Sequence, residues 1–171
     1  GLSVGPDGAT HQALEDLAIM RAIPNMTVLV PADQEQALKA TLALAKDPHP
    51  AYLRLEREKS PVFTTEKTPF QLGKAYVYMK GSDVTVIGCG PVLYEALAAA
   101  HELGNRVSVE VINMPTIKPL DEDTILRSVR KTRCVVTVEE HQVIGGLGGA
   151  VAELLARRHP APMEFVGVQD R

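Results

Sequence analysis

Apolar and polar positions fall in alternating blocks along this chain, some at helical spacing and some at strand spacing. From Thr10 to Arg21 the spacing is helical, with Leu14, Leu17, Ala18 and Arg21 on one stripe. Thr10 stands in the capping place, so a helix is expected over 11–21, and Pro24 ends it. A short apolar run over 27–30 reads as a strand. Asp33, with Gln36 three positions on, opens a second helix whose Ala37, Leu38, Thr41, Leu42 and Ala45 share one side. Asp47-Pro48-His49-Pro50 stops it, and residues 51–55 read as another strand. Residues 56–73 carry charges, Pro61, Pro69 and paired threonines with no period of either kind, which predicts a linker.

Beyond the linker the alternation becomes regular. Strands are expected over 75–79, 84–88, 108–112, 134–138 and 164–168. Helices are expected from Pro91 to about 103, from a cap at Asp121 to about 129, and over 147–158. Strand and helix taken in turn this often require crossovers, and right-handed crossovers make a mostly parallel sheet covered on both faces. The expected fold class is α/β, with a three-layer, mostly parallel domain over 74–171. Residues 1–55 hold only two strands and two helices, too few to cover a sheet of their own, so an incomplete α/β unit is expected there. Its apolar faces, Leu14 and Leu17 among them, would then lack a covering layer. The chain also opens directly in a glycine-rich segment and stops after a strand-like run, so a piece of something larger is expected.

Charge and cysteine usage narrow the partners. Eighteen Lys+Arg against 21 Asp+Glu leave a formal net charge of -3, with no basic surplus to neutralise a nucleic-acid backbone. Cys89 and Cys134 stand far apart inside apolar runs, which suits buried thiols in a reducing, cytoplasmic setting. Charges break every apolar stretch well short of the roughly 18 residues of a membrane span. Neither nucleic acid nor membrane is an expected partner.

Three segments could carry chemistry. Gly5 to Gln12, GPDGATHQ, places Asp7, Thr10 and His11 within one turn, on a glycine-bearing loop that runs into a helix. They can line a ligand site or simply cap and open that helix. His11 and Glu15 have the i,i+4 spacing of metal ligands, but no third ligand is in view, so no metal is assigned here. Arg54 and Arg57 lie at and beyond the end of the 51–55 strand, where α/β sheets receive ligands and where an arginine fork suits phosphate. Solvated charge is the other reading of that stretch. The glycines at 145–149 and 88–90 do not match the dinucleotide pattern GxGxxG, and close packing of helix on strand is the simpler account.

GPDGATHQALEDLAIMRAIPNMTVLVPAD at 5–33, KPLD at 118–121 and EEHQVIGGLGG at 139–149 together resemble the C-terminal portion of transketolases. DGxTHQ is shared with deoxyxylulose-phosphate synthases, and the following RAIPN favours transketolase. The resemblance implies that residues 1–55 end a pyrimidine-binding domain, 56–73 form the linker and 74–171 form the transketolase C-terminal domain. It implies an enzyme that moves a two-carbon ketol unit between phosphosugars in the pentose phosphate pathway, with thiamine diphosphate and a divalent metal such as magnesium as cofactors. It also implies an N-terminal portion or subunit as partner, a homodimer, and an isolated chain that is inactive. Asp7 and His11 match the family residues that line the substrate channel, and an imidazole there can move protons near neutral pH. Arg57 matches the arginine that holds the sugar phosphate, although Glu58-Lys59 replaces the polar pair expected after it and Ala9 a common proline. KPLD and EEH read as turn and helix-capping chemistry at an interface. Alternatives are deoxyxylulose-phosphate synthase, the beta component of a 2-oxo acid dehydrogenase, or a non-catalytic assembly module.

Overall fold

Asp16–Ala22 (α1), Thr27–Leu29 (β1), Gln34–Leu44 (α2) and Ala51–Leu53 (β2) form the first part of the chain in the structure, a computed structural model that describes residues 1–170. A stretch without helix or strand follows. Then come Tyr76–Met79 (β3), Val84–Gly88 (β4), Leu93–Leu103 (α3), Val109–Asn113 (β5) and Thr116–Lys118 (β6). Glu122–Thr132 (α4), Val135–Gln142 (β7), Leu147–Arg158 (α5) and Met163–Val168 (β8) complete the order. No helix among the described residues is long and apolar enough to cross a membrane.

The larger sheet runs β3-β5-β4-β7-β8. Its β4–β5, β4–β7 and β7–β8 pairs are parallel, and β3 lies antiparallel on β5. On one face α3 sets Leu93, Ala96 and Ala100 against Val109, Val111 and Val138. On the other, α4 and α5 bring Ile125, Val129, Leu147, Val151 and Leu154 into a second cluster. These are the three layers of a mostly parallel α/β fold.

The start of α5 depends on a close approach that only glycine permits. The Glu139 carboxylate at the end of β7 accepts hydrogen bonds from Leu147 N at 2.7 Å and Gly148 N at 2.8 Å, satisfying two of the free amides that open a helix. A Cβ on Gly146 would stand 2.0 Å from Glu139 Oε2 and 2.7 Å from His141 Nδ1. Gly146→Ala is therefore expected to destabilise the chain by about 1–3 kcal/mol through overpacking of a filled interior. Chemical unfolding of the variant checks this, and a change within about 0.5 kcal/mol, the ordinary scatter of surface substitutions, would contradict it.

The smaller sheet joins the two parts of the chain. β1 lies between β2, parallel with Thr27 opposite Ala51, and β6, antiparallel with Val28 opposite Lys118. β6 carries the start of the KPLD segment, and Lys118 Nζ donates to Arg21 O at 2.8 Å and Ile23 O at 2.6 Å, capping the carbonyl end of α1. Asp121 caps α4 through Thr124 N and also takes Ala75 N. Leu17 is fully buried in the same cluster as Leu147 and Val151. The expectation that Leu17 lacks a covering layer is thus overturned, because the second part of the chain supplies it.

Other local expectations are corrected. The helix over 11–21 begins only at Asp16, preceded by a separate 3-10 turn, Ala9–His11. Gln12 is extended and the Ala13 carbonyl is taken by Arg54 Nη2 at 2.9 Å, which removes it from any helical ladder. On α2 the side shared by Ala37, Leu38, Thr41, Leu42 and Ala45 faces largely toward solvent, with Leu38 and Leu42 each 55% exposed. The inner face goes to Ala40 and Gln36, whose side-chain oxygen accepts from Ala32 N at 2.8 Å and Asn113 Nδ2 at 3.1 Å. β7 runs to Gln142, four residues beyond the expected strand. Cys89 is buried, whereas Cys134 is only partly so.

The linker has no regular structure but is strapped down. Asp33 accepts from Phe63 N at 2.9 Å, Thr64 N at 2.6 Å and Thr64 Oγ1 at 2.7 Å while capping α2 through Gln36 N at 2.9 Å. Burial works to raise this carboxyl, but the hydrogen bonds outweigh it and hold Asp33 below its ordinary value.

Candidate functional site

The loop that precedes α1 is shaped by glycines in the left-handed region, Gly5 at φ 84 and Gly8 at φ 78. Asp7 N closes a tight turn onto Gly5 O at 2.8 Å, and His11 N bonds to Gly8 O at 3.1 Å. Asp7, Thr10 and His11 are all exposed on this loop. Thr10 caps nothing; its hydroxyl lies 3.1 Å from His11 Nδ1.

Arg57 comes to the same loop from the far side of β2. Its Nη1 forms an ion pair with Asp7 Oδ2, and its side chain remains 68% exposed. The backbone is fastened as well, since Arg57 N and Glu58 N both donate to Ser3 O at 3.2 Å. Beside it opens a cavity of about 530 Å3, lined by Pro31 after β1, Gln34 at the start of α2, and Glu56, Arg57 and Lys59 after β2. This is the crevice at the carboxyl ends of parallel strands, where α/β sheets accept ligands. Asp7 and His11 do not line it.

Arg54 also borders this cavity, but its side chain turns inward. Its side chain is 4% exposed, with Nε 3.1 Å from Asp16 Oδ2 and Nη2 donating to Ala13 O at 2.9 Å and Glu140 O at 2.8 Å. It ties the loop, α1 and β7 together, and all of its reach is spent inside the protein. Of the two candidate arginines, Arg57 alone presents its guanidinium outward.

Two carboxylates that sequence reading did not assign meet at the base of this loop. Glu140 accepts from Leu2 N at 3.1 Å, Ser3 N at 3.1 Å and Ser3 Oγ at 2.7 Å. Glu56 faces it, and because the Ser3 hydroxyl is given to Glu140, Glu56 has no donor of its own. Burial, and then the Glu140 charge, push the Glu56 carboxyl up to about 7. Glu139 is raised too, chiefly by burial, against the helix amides that work to lower it. The sequence marked residues 139–141 only as part of the EEH motif, read as helix-capping chemistry, and gave Glu56 no role beyond solvated charge.

The sign of the consequence follows from proton uptake. Folded Glu56 keeps its proton up to about pH 7 while an unfolded Glu releases it near 4.5. The folded state therefore binds more protons in that window, and stability falls as pH rises from about 4.5 to about 7. Glu56→Gln, which copies the neutral acid, is expected to flatten that slope in thermal midpoints measured against pH. Parallel curves for the two proteins would contradict it.

His141 and the remaining motif residues serve packing. His141 is fully buried, its Nε2 3.3 Å from Ala18 N and its Nδ1 2.6 Å from Gln142 O. EEH thus caps α5, grips residues 2–3 and seats α1 by successive side chains. Among the described residues no group of three or more His, Cys, Asp or Glu stands together as a metal site.

The family model described as the transketolase pyrimidine binding domain matches residues 1–62, and the one described as the transketolase C-terminal domain matches residues 73–171. The 6-deoxy-6-sulfo-D-fructose transketolase subunit of Clostridium sp. is 44% identical over 171 residues, 99% of this chain and 53% of that protein. An apulose-4-phosphate transketolase subunit of Phocaeicola vulgatus is 36% identical over 172 residues, 99% of this chain and 55% of that protein. A solved structure titled "Split gene transketolase, inactive beta4 tetramer" superposes with a TM-score of 0.92 at 43% identity, over 95% of this chain and 55% of its own. The chain spans about half the length of these relatives.

Proposed function

The chain belongs to the transketolase family, and from that premise we propose that it is the portion of a thiamine diphosphate-dependent transketolase that holds the anionic end of the sugar. In this reading residues 1–55 end the pyrimidine-binding domain, 56–73 are the linker and 74–171 are the C-terminal domain. The observation that carries it is an outward Arg57 that lines the cavity at the strand ends and pairs with Asp7 on the neighbouring loop. Arg57 binds the phosphate of a phosphosugar, Asp7 takes a sugar hydroxyl, and His11, four residues along the same loop, handles a proton near the reacting carbons.

When bound, thiamine diphosphate supplies the stabilisation of a carbanion that side chains cannot. As the family resemblance implies, we assign the anchoring of its diphosphate to an N-terminal portion of the enzyme. The names of two relatives as subunits favour a separate partner chain. Reconstitution tests this: ketol transfer between phosphosugars is expected from the chain mixed with an N-terminal portion, thiamine diphosphate and magnesium, and not from the chain alone. Turnover by the chain alone, or by no such mixture, overturns it.

A further inference from the structure

We propose that Glu140, on β7 in the second part of the chain, is a positioning residue for Arg57 and acts through Ser3. The inference rests on the reading of Arg57 as the anion ligand and goes beyond it, by naming what holds that ligand in place.

The connection is a chain of direct hydrogen bonds. The Glu140 carboxylate takes all that Ser3 can donate, its amide at 3.1 Å and its hydroxyl at 2.7 Å, together with Leu2 N at 3.1 Å. With its donors thus fixed, Ser3 turns its carbonyl to the other side, where it receives Arg57 N and Glu58 N, each at 3.2 Å. The backbone that bears the Arg57 guanidinium therefore hangs from Ser3, and Ser3 hangs from Glu140. Glu140 is fixed in turn, since its own carbonyl accepts Arg54 Nη2 at 2.8 Å and its strand pairs with β4 and β8. Arg57 needs such support. It sits past the end of β2, beyond any ladder, and its side chain finds only Asp7 and, at 3.5 Å, Val4 O, both on the same loop. A ligand arginine on a loop binds well only if its backbone is held by rigid elements, and through Ser3 and Glu140 this one is tied to β7.

Glu140 touches no substrate in this reading. Its loss should move Arg57 rather than alter the chemistry. In the enzyme assembled with its N-terminal portion, Glu140→Ala is expected to raise KM for phosphorylated acceptors on the order of tenfold, the size of one charged hydrogen bond, with kcat and the KM of non-phosphorylated acceptors changed by less than about twofold. Glu140→Gln keeps a side-chain oxygen in the same place and should restore most of the loss. Ser3→Ala should show the same selectivity, and in an Arg57→Ala background Glu140→Ala should add none, because the two act in series.

Equal losses on both acceptor classes, or no rescue by Gln, would make Glu140 merely structural and overturn the proposal. Should Glu140→Ala fail to fold, Ser3→Ala and Glu140→Gln carry the test. The two readings fail differently. Arg57→Ala without selectivity overturns the anion-ligand role and this proposal with it. Arg57→Ala with selectivity, but Glu140→Ala and Ser3→Ala without it, overturns this proposal alone.

Discussion

Arg57→Ala in the assembled enzyme is expected to raise KM for phosphorylated acceptors about 10- to 150-fold while leaving non-phosphorylated acceptors nearly unchanged. The range corresponds to a hydrogen bond with a charged group, about 1.5–3 kcal/mol. Arg57 meets the geometric requirement, because its side chain is 68% exposed and its one charged partner is Asp7. Exposed ion pairs contribute only about 0–1 kcal/mol, so a phosphate dianion can displace Asp7 from the fork, or share it. The effect belongs in KM, since the phosphate lies at the far end of the sugar from the carbons that react and is held equally before and during the reaction. Steady-state kinetics with paired acceptors decide it. An equal rise for both classes would mean that Arg57 supports the loop and binds no anion.

What the sequence made legible follows the range over which each signal acts. α3, α4 and α5 were readable because apolar spacing, Pro91, Asp121 and a following strand all lie within one element, and the mostly parallel sheet follows from their alternation. β6 was not readable. Its three residues carry no period, and they form a strand only because β1 offers an edge some ninety positions earlier in the chain. The inward face of α2 was not legible for a related reason: Ala and Leu occur around much of that helix, and the inward place goes to Gln36 through bonds with Ala32 and Asn113. In the site, loop glycines and DGATHQ marked Asp7 and His11. Glu140 and Glu56 stayed hidden, since their meaning lies in facing each other across two parts of the chain. Arg54 and Arg57 looked alike in sequence, and only the tertiary contacts tell them apart.

That difference yields the largest stability effect expected of any single change here. Arg54→Ala should destabilise the isolated chain by about 3–5 kcal/mol, the usual result of removing one partner of a buried ion pair, whereas Arg57→Ala should stay within about 0.5 kcal/mol. Arg54 is 4% exposed and Asp16 12%, so neither can turn to water for compensation. Without the guanidinium, Asp16 keeps only the Tyr52 hydroxyl at 2.7 Å, and the carbonyls of Ala13 and Glu140 each lose a donor. Tyr52 stays a neutral hydroxyl that can only donate to Asp16, because burial and the neighbouring carboxylate push it up to about 12, so it brings no positive charge to replace the guanidinium. The three segments so released are the end of the glycine loop, α1 and β7, so a secondary loss of activity should touch phosphorylated and non-phosphorylated acceptors alike. Urea unfolding of both variants, read beside the paired-acceptor kinetics, separates the roles. If Arg54→Ala unfolds with its parent and Arg57→Ala does not, or if the phosphate-selective KM follows Arg54, the outward and inward arginines have been exchanged.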